Sequence, residues 1–568
     1  MGLVNGALQI GRSALLAYQS ALQVVGNNVS NAGSTSYTRQ TPVLSPSVGV
    51  PLPEGFMPGG GVTLSALQRN VDDSLENRLR VATGDQAGSL SRQQVLSRIE
   101  SVLNELSDTD LSTLLGKFFS SFSDLQNAPH DEGVRGMVLS AATSVVSEIQ
   151  RQRQDTLQLR DEINSELGSL TQRVDQISKQ IAELNVQIAA MEGPGSGGAN
   201  ALRDQRDDLL RQLGELVQIQ VREQPAGSVN VYIGNDLFIS GGMSRGVVST
   251  LETAGNEPRV VMRFADNQQQ VNLIGGQMAG LVAARDTDVM GHIDALNSLA
   301  ATLVNEVNKA HSAGQGLVGY NSITGAFDVT DPDAVLNDTG LGLTPRNGSF
   351  ILYVTNNQSQ PPTRTPTTIT VDLDGVGADD TLSTLAAKID AVASVSAEVT
   401  ADNRLKITAD DGYEVTFGED TSSALAALGL NVFFTGSNSE DLSVNAALMS
   451  NLDLIAASRT HELGDGSNAG AIAALGSESL SDLGNQSILD YYNALASSVA
   501  VRGAQVKAGV SSAGAVVQSL TAQRESLSGV SLDEEAISLM RFERAFQAAA
   551  RYTTTVNGLI DEVLSLVR

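Results

Sequence analysis

Apolar residues recur at alternating steps of four and three near both ends of the chain. One run lies within residues 4–29 and the other within residues 539–567. This spacing puts the apolar side chains on one narrow face of an α-helix, as in coiled coils. Because neither helix can bury such a face alone in water, we expect the two terminal helices to pack against each other. The side chains predicted to meet are Leu8, Leu15, Tyr18, Leu22, Val25 and Val29 on the first helix and Leu539, Phe542, Phe546, Val556, Ile560 and Val563 on the last.

The two ends allow two interpretations of the free subunit. A two-helix rod leaves much of its flanks exposed, which favours termini that become ordered only when they pack on neighbouring subunits. The alternative is an ordinary folded domain built from both ends, because the cost of closing a loop of about 500 residues grows only logarithmically with its length.

Local signals indicate where the terminal helices begin and end. The Asn-, Ser- and Gly-rich stretch 27–35 predicts the end of the first helix, because these side chains compete for backbone hydrogen bonds. Residues 41–63 contain five prolines and predict extended, loop-like chain. Ser531 with Glu534 has the spacing of a capping box before the last helix. Gly11 lies within the first apolar face, where it either lets a neighbouring backbone approach closely or is merely tolerated.

Between the ends the periodicity changes several times. Residues 70–220 predict helices, and two apolar stripes separated by the Gly- and Pro-rich stretch 193–198 predict a long antiparallel helical hairpin with a flexible tip. Alternating residues over 217–273 predict strands, and a helix is expected again at 288–311. Residues 442–527 are rich in Ala and Ser and predict further helix.

Residues 331–441 differ from the rest of the chain and predict an inserted α+β unit. Strand-like segments surround a helix expected near 381–392. The segment has five Lys or Arg against seventeen Asp or Glu, which gives a net charge of −12 in a chain whose total is −28. We interpret this acidic surface as a solvated outward face that resists self-association.

The predicted fold class is multidomain and mainly α, with inserted β-rich and α+β domains. The terminal helices are expected to pair as a coiled coil, and the long helical hairpin is expected in the next domain. The pattern predicts four domains: residues 1–35 with 532–568, residues 36–216 with 442–531, residues 217–330, and the acidic insert 331–441.

Composition argues against several kinds of function. The net charge of −28 disfavours binding to nucleic acid, and the absence of cysteine removes disulfides and thiolate metal sites. The four histidines are far apart in the sequence and are interpreted as surface or hydrogen-bonded residues. No apolar run reaches the length of a membrane-spanning helix, and the first residues make a poor secretory signal, so we expect no membrane anchor.

A search for motifs gives no catalytic centre. Residues 314–319 match GxGxxG, but they follow a predicted helix rather than a strand, which favours a simple glycine-rich loop. The acidic stretch 372–380 lacks the spacing of a calcium loop and is interpreted as a surface turn. We therefore expect a protein that is not an enzyme and that has no catalytic residue, no cofactor and no metal ion.

Short motifs at both ends carry a family resemblance. The stretch NNVSNA at 27–32, followed by YTRQ at 37–40, resembles the N-terminal signature of the axial proteins of the bacterial flagellum. Residues 528–535 and 541–551 are similar to the corresponding stretches of the hook-associated protein 1 family. Residues 35–36 are Thr-Ser, where many axial proteins have Thr-Pro-Gly before the tyrosine, so the turn there is expected to differ.

The resemblance implies a structural role at the distal end of the flagellar hook. Such proteins form a ring of eleven subunits between the curved hook and the stiff filament, and their terminal helices line the axial channel. They leave the cell unfolded through the flagellar type III export apparatus, after an export chaperone has bound the C-terminal region. The implied partners are further copies of the chain, the hook protein and a second junction protein, hook-associated protein 3.

The resemblance also implies which polar residues take part in assembly. The side chains expected to contact neighbouring subunits are Asn27, Asn28, Asn31, Tyr37, Arg39 and Gln40. The alternative is that residues 27–40 form a passive linker. Three other interpretations of the whole chain stay open: another hook or hook-associated subunit, an axial scaffold whose insert is enzymatic or binds glycans, and a cytoplasmic coiled-coil protein.

Overall fold

The computed structural model is mainly helical and contains several small sheets. It describes residues 2–34, 36–48, 59–103, 110–192, 198–254, 257–460, 462 and 464–566. The helices are α1 (Gly2–Ser30), α2 (Asp73–Leu103), α3 (Leu111–Asn127), α4 (Glu132–Met191), α5 (Asn200–Leu216), α6 (Gln277–Ala283), α7 (Met290–Ser312), α8 (Leu382–Asp390), α9 (Ala424–Ala427), α10 (Ala446–Ser450), α11 (Ser467–Ala474), α12 (Ile488–Ser528) and α13 (Leu532–Leu566). The strands are β1 (Gln40–Pro46), β2 (Val62–Arg69), β3 (Ile219–Glu223), β4 (Val229–Ile233), β5 (Asp236–Ser240), β6 (Met243–Ser244), β7 (Val247–Ala254), β8 (Glu257–Phe264), β9 (Ser322–Thr324), β10 (Gly348–Asn356), β11 (Thr363–Val371), β12 (Val395–Val399), β13 (Leu405–Ala409), β14 (Tyr413–Gly418), β15 (Phe434–Thr435) and β16 (Ser443–Val444).

The chain forms two compact units. The first, which we call the terminal unit, comprises Met1–Gln94, Glu162–Ala284 and Ala504–Arg568. The second, the central unit, comprises Val95–Asp161 and Arg285–Gly503 and contains the whole acidic insert. The finer division into four domains stays a prediction. Among the described residues, no helix combines the length and the apolar character that a bilayer span requires.

In the terminal unit, α1 and α13 pack along each other and run in opposite directions. Gly11 near the start of α1 lies against Thr553, and Asn28 in the last turn of α1 contacts Glu535 in the first turn of α13. A step of 17 residues along α1 therefore corresponds to a step of 18 along α13. The two ends of the chain are thus in contact within one subunit, while their supercoiling stays a prediction.

A β-hairpin covers a second flank of α1. Strand β1 pairs with β2 in antiparallel register, with Gln40 opposite Arg69. Gly61, just before β2, lies against Ile10 of α1. The sequence predicted only loop-like chain over 41–63, so these strands are a correction. Prolines such as Pro42 are compatible with them because a two-stranded ribbon consists of edge strands.

The end of α1 at Ser30 lies inside the predicted stretch and has a clear chemical cause. The Ser30 hydroxyl donates to the carbonyl of Gly26 at 2.8 Å, and the Asn31 amide donates to the carbonyl of Asn27 at 2.9 Å. These side chains satisfy carbonyls of the last turn, which have no helical partner. The polar residues therefore close the helix.

Helices α4 and α5 form the antiparallel hairpin that the sequence predicted. Arg203 of α5 binds Glu192, directly after α4, through two hydrogen bonds of 2.7 Å. Asn185 of α4 accepts from Arg206 of α5 at 3.1 Å and also donates to the carbonyl of Val229 at 2.9 Å. The hairpin therefore supports the four-stranded sheet β3–β4–β5–β6, which confirms the strands expected from residue 217 onwards.

The core of the central unit is aromatic. Phe118 and Phe122 of α3 pack on Phe433, with ring centroids 5.9 and 5.5 Å apart. His311 of α7 lies against the same ring at 5.4 Å and is fully buried. Edge-on contacts of this kind add to the stabilisation that burial of the rings provides.

The acidic insert folds as an α+β unit. It contains two three-stranded sheets, β11–β10–β14 and β12–β13–β9, together with α8. Strand β12 was missed by the sequence analysis because its five residues alternate only weakly. The predicted strands at 350–354, 369–371, 405–407 and 415–417 and the helix at 381–392 are confirmed.

Some predictions concern residues outside the described ranges. These residues are Thr35 in the unusual turn, most of the proline-rich stretch at 49–58, the expected flexible tip at 193–197, His461, and the last two residues, 567–568.

Candidate assembly site at the paired chain ends

The face of α1 that the chain itself buries is displaced from the predicted one. Helix α13 and the β-hairpin both contact α1, so the most buried face lies between them. The apolar side chains buried there are Ala17, Ala21, Val24 and Val25. Of the predicted residues on α1, Val25 is therefore buried, Val29 is 43 % exposed, and four are half-buried: Leu8, Leu15, Tyr18 and Leu22.

The predicted face of α13 is covered only along the middle of the helix. Val556 is buried, and Phe542, Phe546 and Ile560 are half-buried. Leu539 and Val563, in contrast, are 42 % and 51 % exposed. The antiparallel register explains Val563, because it lies beyond the start of α1. A seam closed along its whole length within one subunit is therefore corrected to a partly covered one.

Gly11 marks the closest approach of the two helices. It is buried, and a Cβ atom at this position would overlap the hydroxyl of Thr553 and lie 3.4 Å from the ring of Tyr552. Any larger side chain would therefore push α13 away from α1. Of the two interpretations of this glycine, the structure favours close approach.

Asn28 is the centre of a polar cluster at the end of α1, which we call the clasp: Asn28, Tyr37, Arg39, Gln40 and Glu535. The Asn28 Oδ1 atom accepts from the Tyr37 hydroxyl at 2.7 Å and from the Gln40 backbone N–H at 3.1 Å. Its Nδ2 atom donates to the Gln40 carbonyl at 2.9 Å and to Glu535 Oε2 at 3.0 Å. All four hydrogen-bonding positions of this buried amide are used, as burial of a polar group requires.

Arg39 joins the clasp to the start of α13. Its Nε atom donates to Glu535 Oε1 at 2.8 Å, and its NH1 atom binds Glu534. Glu534 therefore completes only half of the predicted capping box. Its backbone N–H reaches the Ser531 hydroxyl at 3.5 Å, whereas its carboxylate is directed to Arg39. The backbone N–H of Arg39 also donates to the carbonyl of Ser528 at 3.0 Å, which ties in the end of α12.

The clasp continues into the helical hairpin. Asn200 of α5 donates to the side-chain oxygen of Gln40 at 3.2 Å. Burial, together with the nearby carboxylates of Asp204 and Glu535, raises the pKa of Tyr37 to about 12. The Tyr37 phenol therefore keeps its proton at neutral pH and remains a hydrogen-bond donor to Asn28.

The predicted polar site residues divide into two groups. Asn28 and Gln40 are buried by the chain itself, so their observed contacts are internal. The expectation that these two side chains touch a neighbour directly is corrected accordingly. Asn27 is exposed and Asn31 half-buried, and both lie at the surface beside the clasp. Their contact with a neighbouring subunit stays a prediction.

Sequence reasoning did not select Glu535, Asn200 and Asp204 as site residues. Glu535 stands in the quoted C-terminal motif, and its position in the first turn of a predicted helix was the available signal. The hairpin residues gave no such signal, because nothing in their local sequence indicates that they face the end of α1.

Large apolar side chains remain exposed on the terminal helices. Ile537 is 62 % exposed, Leu532 57 %, Leu559 56 % and Leu16 of α1 56 %. A contiguous set of such side chains marks a surface that another protein covers. The terminal helices therefore have apolar surface beyond what their own pairing uses.

The described residues include one group of carboxylates close enough to share a cation: Asp372, Asp374 and Asp379. Two of them already accept loop N–H groups, from Gly375 at 2.9 Å and from Val376 at 2.8 Å. These are the hydrogen bonds of a surface turn, and we assign no metal site here.

Comparison with known proteins gives consistent matches along the chain. Residues 96–326 match the family model described as flagellar hook-associated protein FlgK helical domain, and residues 522–566 match that described as flagellar basal body rod FlgEFG protein C-terminal. Over 588 aligned positions the chain is 27% identical to flagellar hook-associated protein 1 of Escherichia coli strain K12, covering 99% of both. It is 26% identical to the protein of the same name from Bacillus subtilis strain 168, covering 98% of this chain and 97% of the relative. The structure of the flagellar hook junction protein FlgK from Burkholderia pseudomallei shares the fold, with a TM-score of 0.53 and 15% identity, covering 80% of this chain and 100% of that one.

Proposed function

Because the chain belongs to the family of flagellar hook-associated protein 1, we propose that it is the structural subunit joining hook and filament in a bacterial flagellum. The observation that carries this proposal is a similarity that extends over 99% of the chain, both ends included. The family is one of structural flagellar proteins, so the chain is an assembly component and not an enzyme.

The proposed mechanism is packing of the terminal helices on neighbouring subunits. Complete burial of a Leu or Ile side chain is worth about 1.5–3 kcal/mol, so several half-exposed side chains per subunit provide a substantial driving force. The residues available on α1 and α13 include Leu16, Val29, Leu539 and Val563. The clasp supports this role by holding both ends of the chain together, so that they act as one assembly element.

The proposed location is the distal end of the hook, in a ring of eleven copies. There the chain contacts the hook protein on one side and hook-associated protein 3 on the other. It reaches this place by type III export in an unfolded state, after an export chaperone has bound its C-terminal region. The absence of cysteine suits such export, because no disulfide has to form or break. The acidic insert is expected to face outwards.

Deletion of the gene in its own bacterium tests the proposal. The deletion should leave hooks without filaments and release filament protein into the medium, and the intact gene should restore filaments. Immunogold labelling of an epitope-tagged chain should mark the hook tip. Label along the cytoplasm, or normal filaments in the deletion strain, would contradict the proposal.

A second candidate is a role elsewhere in the flagellar axis. The match of residues 522–566 to the C-terminal region of rod proteins favours it, since the last helix is of a type that several axial proteins share. The same labelling experiment separates the two, because a rod or hook subunit would be labelled along the shaft and not at its tip.

A further inference from the structure

One stripe of α13 combines exposed apolar side chains with arginines. Its members, Ile537, Met540, Arg541 and Arg544, are spaced i, i+3, i+4 and i+7, which puts them on one side of the helix. Ile537 is 62 % exposed and Met540 50 %. Both arginines are exposed, and neither forms an ion pair within the described part of the chain. In a chain with 64 acidic and 36 basic residues, two adjacent arginines without an acidic partner are unusual.

A second stripe lies nearer the end of the same helix. It consists of Tyr552, Leu559 and Glu562, spaced i, i+7 and i+10. Tyr552 is 42 % and Leu559 56 % exposed. Glu562 is exposed and, among the residues that the structure describes, has no ion-pair partner. The two stripes therefore have the same apolar character and opposite charge.

We propose that the first stripe of one copy packs against the second stripe of the next copy, with the two α13 helices parallel. A shift of eighteen residues, about 27 Å at 1.5 Å per residue, places Arg544 beside Glu562 and Met540 close to Leu559. The apolar pair provides the buried area, and the opposite charges select this register over others. This inference deepens the proposed function and rests on it.

The contact has a consequence for the shape of the assembly. Because each copy uses one surface to bind its predecessor and a different one to bind its successor, the interface is heterologous. Such interfaces continue from copy to copy and give staggered, helical layers or closed rings. The axial offset between contacting copies is a direct geometric expectation of this register.

Disulfide cross-linking tests the contact, since the natural chain has no cysteine. The full chain carrying both Met540→Cys and Leu559→Cys is expressed in the deletion strain, and isolated hooks are oxidised. A ladder of multimers is expected, because each copy then presents both partners. Each single variant should give no ladder, and a mixture of the two should stop at dimers. The pair Ala548→Cys with Leu559→Cys, also exposed on α13, is the matched control.

Charge reversal provides a second measurement that does not depend on oxidation. Arg541→Glu with Arg544→Glu should reduce the number of filaments per cell, as should Glu562→Arg, and the combination should restore it. Arg551→Glu, an exposed arginine outside both stripes, should have little effect.

Incorporation without a ladder, or reversals that leave filament number unchanged, would overturn this contact while the proposed function stands. Loss of hook-tip labelling for the natural chain would instead overturn the proposed function itself.

Discussion

Arg39 and Glu535 are 496 residues apart in the sequence, yet the Nε atom of Arg39 donates to Oε1 of Glu535 at 2.8 Å. The Glu535 side chain is only 2 % exposed, and that of Arg39 21 %. Arg39 directly precedes the β-hairpin, and Glu535 lies in the first turn of α13. The pair therefore makes the order of the first forty residues depend on the last forty.

Replacing Glu535 by Gln should destabilise the terminal unit by about 3 kcal/mol, because it removes one charge of a buried pair and leaves the other without its partner. Glu534→Gln is the matched control, since Glu534 is 60 % exposed and binds the same arginine. It should cost less than about 1 kcal/mol. Urea unfolding gives both values, and hydrogen exchange should increase over residues 28–46 in the first variant. Equal effects of the two substitutions would contradict the role of the buried pair.

Asn28→Ala should cost about 2–4 kcal/mol, because it leaves the backbone N–H and carbonyl of Gln40 and the Tyr37 hydroxyl without their partner. Asn27→Ala, one residue earlier and exposed, should change stability by less than about 0.5 kcal/mol. Thermal unfolding of the purified full chain measures both. If Asn27→Ala proves more harmful to filament assembly than to stability, a direct contact of Asn27 with a neighbour is supported.

Phe546→Asp should abolish incorporation at the hook while the central unit stays folded. Phe546 is half-buried between the terminal helices, so a charge there weakens their packing and the surface offered to a neighbour. Gln547→Asp, on the exposed side of the same turn, is the matched control and should assemble normally. Swimming on soft agar and electron microscopy of filaments give the result. Normal filaments with Phe546→Asp would rule out this helix face as an assembly surface.

The central unit should lose stability as the pH falls from about 6.5 towards 4. Burial lowers the pKa of both His292 and His311 to about 4, whereas unfolded histidine titrates near 6.5. The unfolded chain therefore binds more protons in this window, so the free energy of unfolding decreases as the pH falls.

His292 offers a direct test of this pH dependence. The expectation that each histidine is exposed or hydrogen-bonded is wrong for His292, because both of its ring nitrogens are buried without a partner. His292→Leu should therefore flatten the dependence without removing a hydrogen bond. Exposed His130→Gln should leave it unchanged. Urea midpoints at pH 7 and pH 4.5 provide the comparison, and identical slopes for natural chain and His292→Leu would contradict the argument.

Periodicity in the sequence was enough to predict the long helices, the helical hairpin and most strands of the acidic insert. These elements depend on local alternation of apolar and polar residues, which is written into each segment separately. The end motifs likewise indicated the family, because they are short, unbroken stretches. Tyr37, Arg39 and Glu535 stand within these motifs, so their importance could be expected, although their partners could not.

Which face of α1 is buried was decided only by the tertiary structure. A second neighbour, the β-hairpin, covers a flank that the heptad pattern does not mark, and so Ala17 and Ala21 are buried while Val29 is exposed. The clasp is equally a product of the fold, since it joins side chains hundreds of residues apart in the sequence and adds Asn200 from the hairpin. Hydrogen bonds of this kind depend on distance and direction in space, and a linear pattern specifies neither.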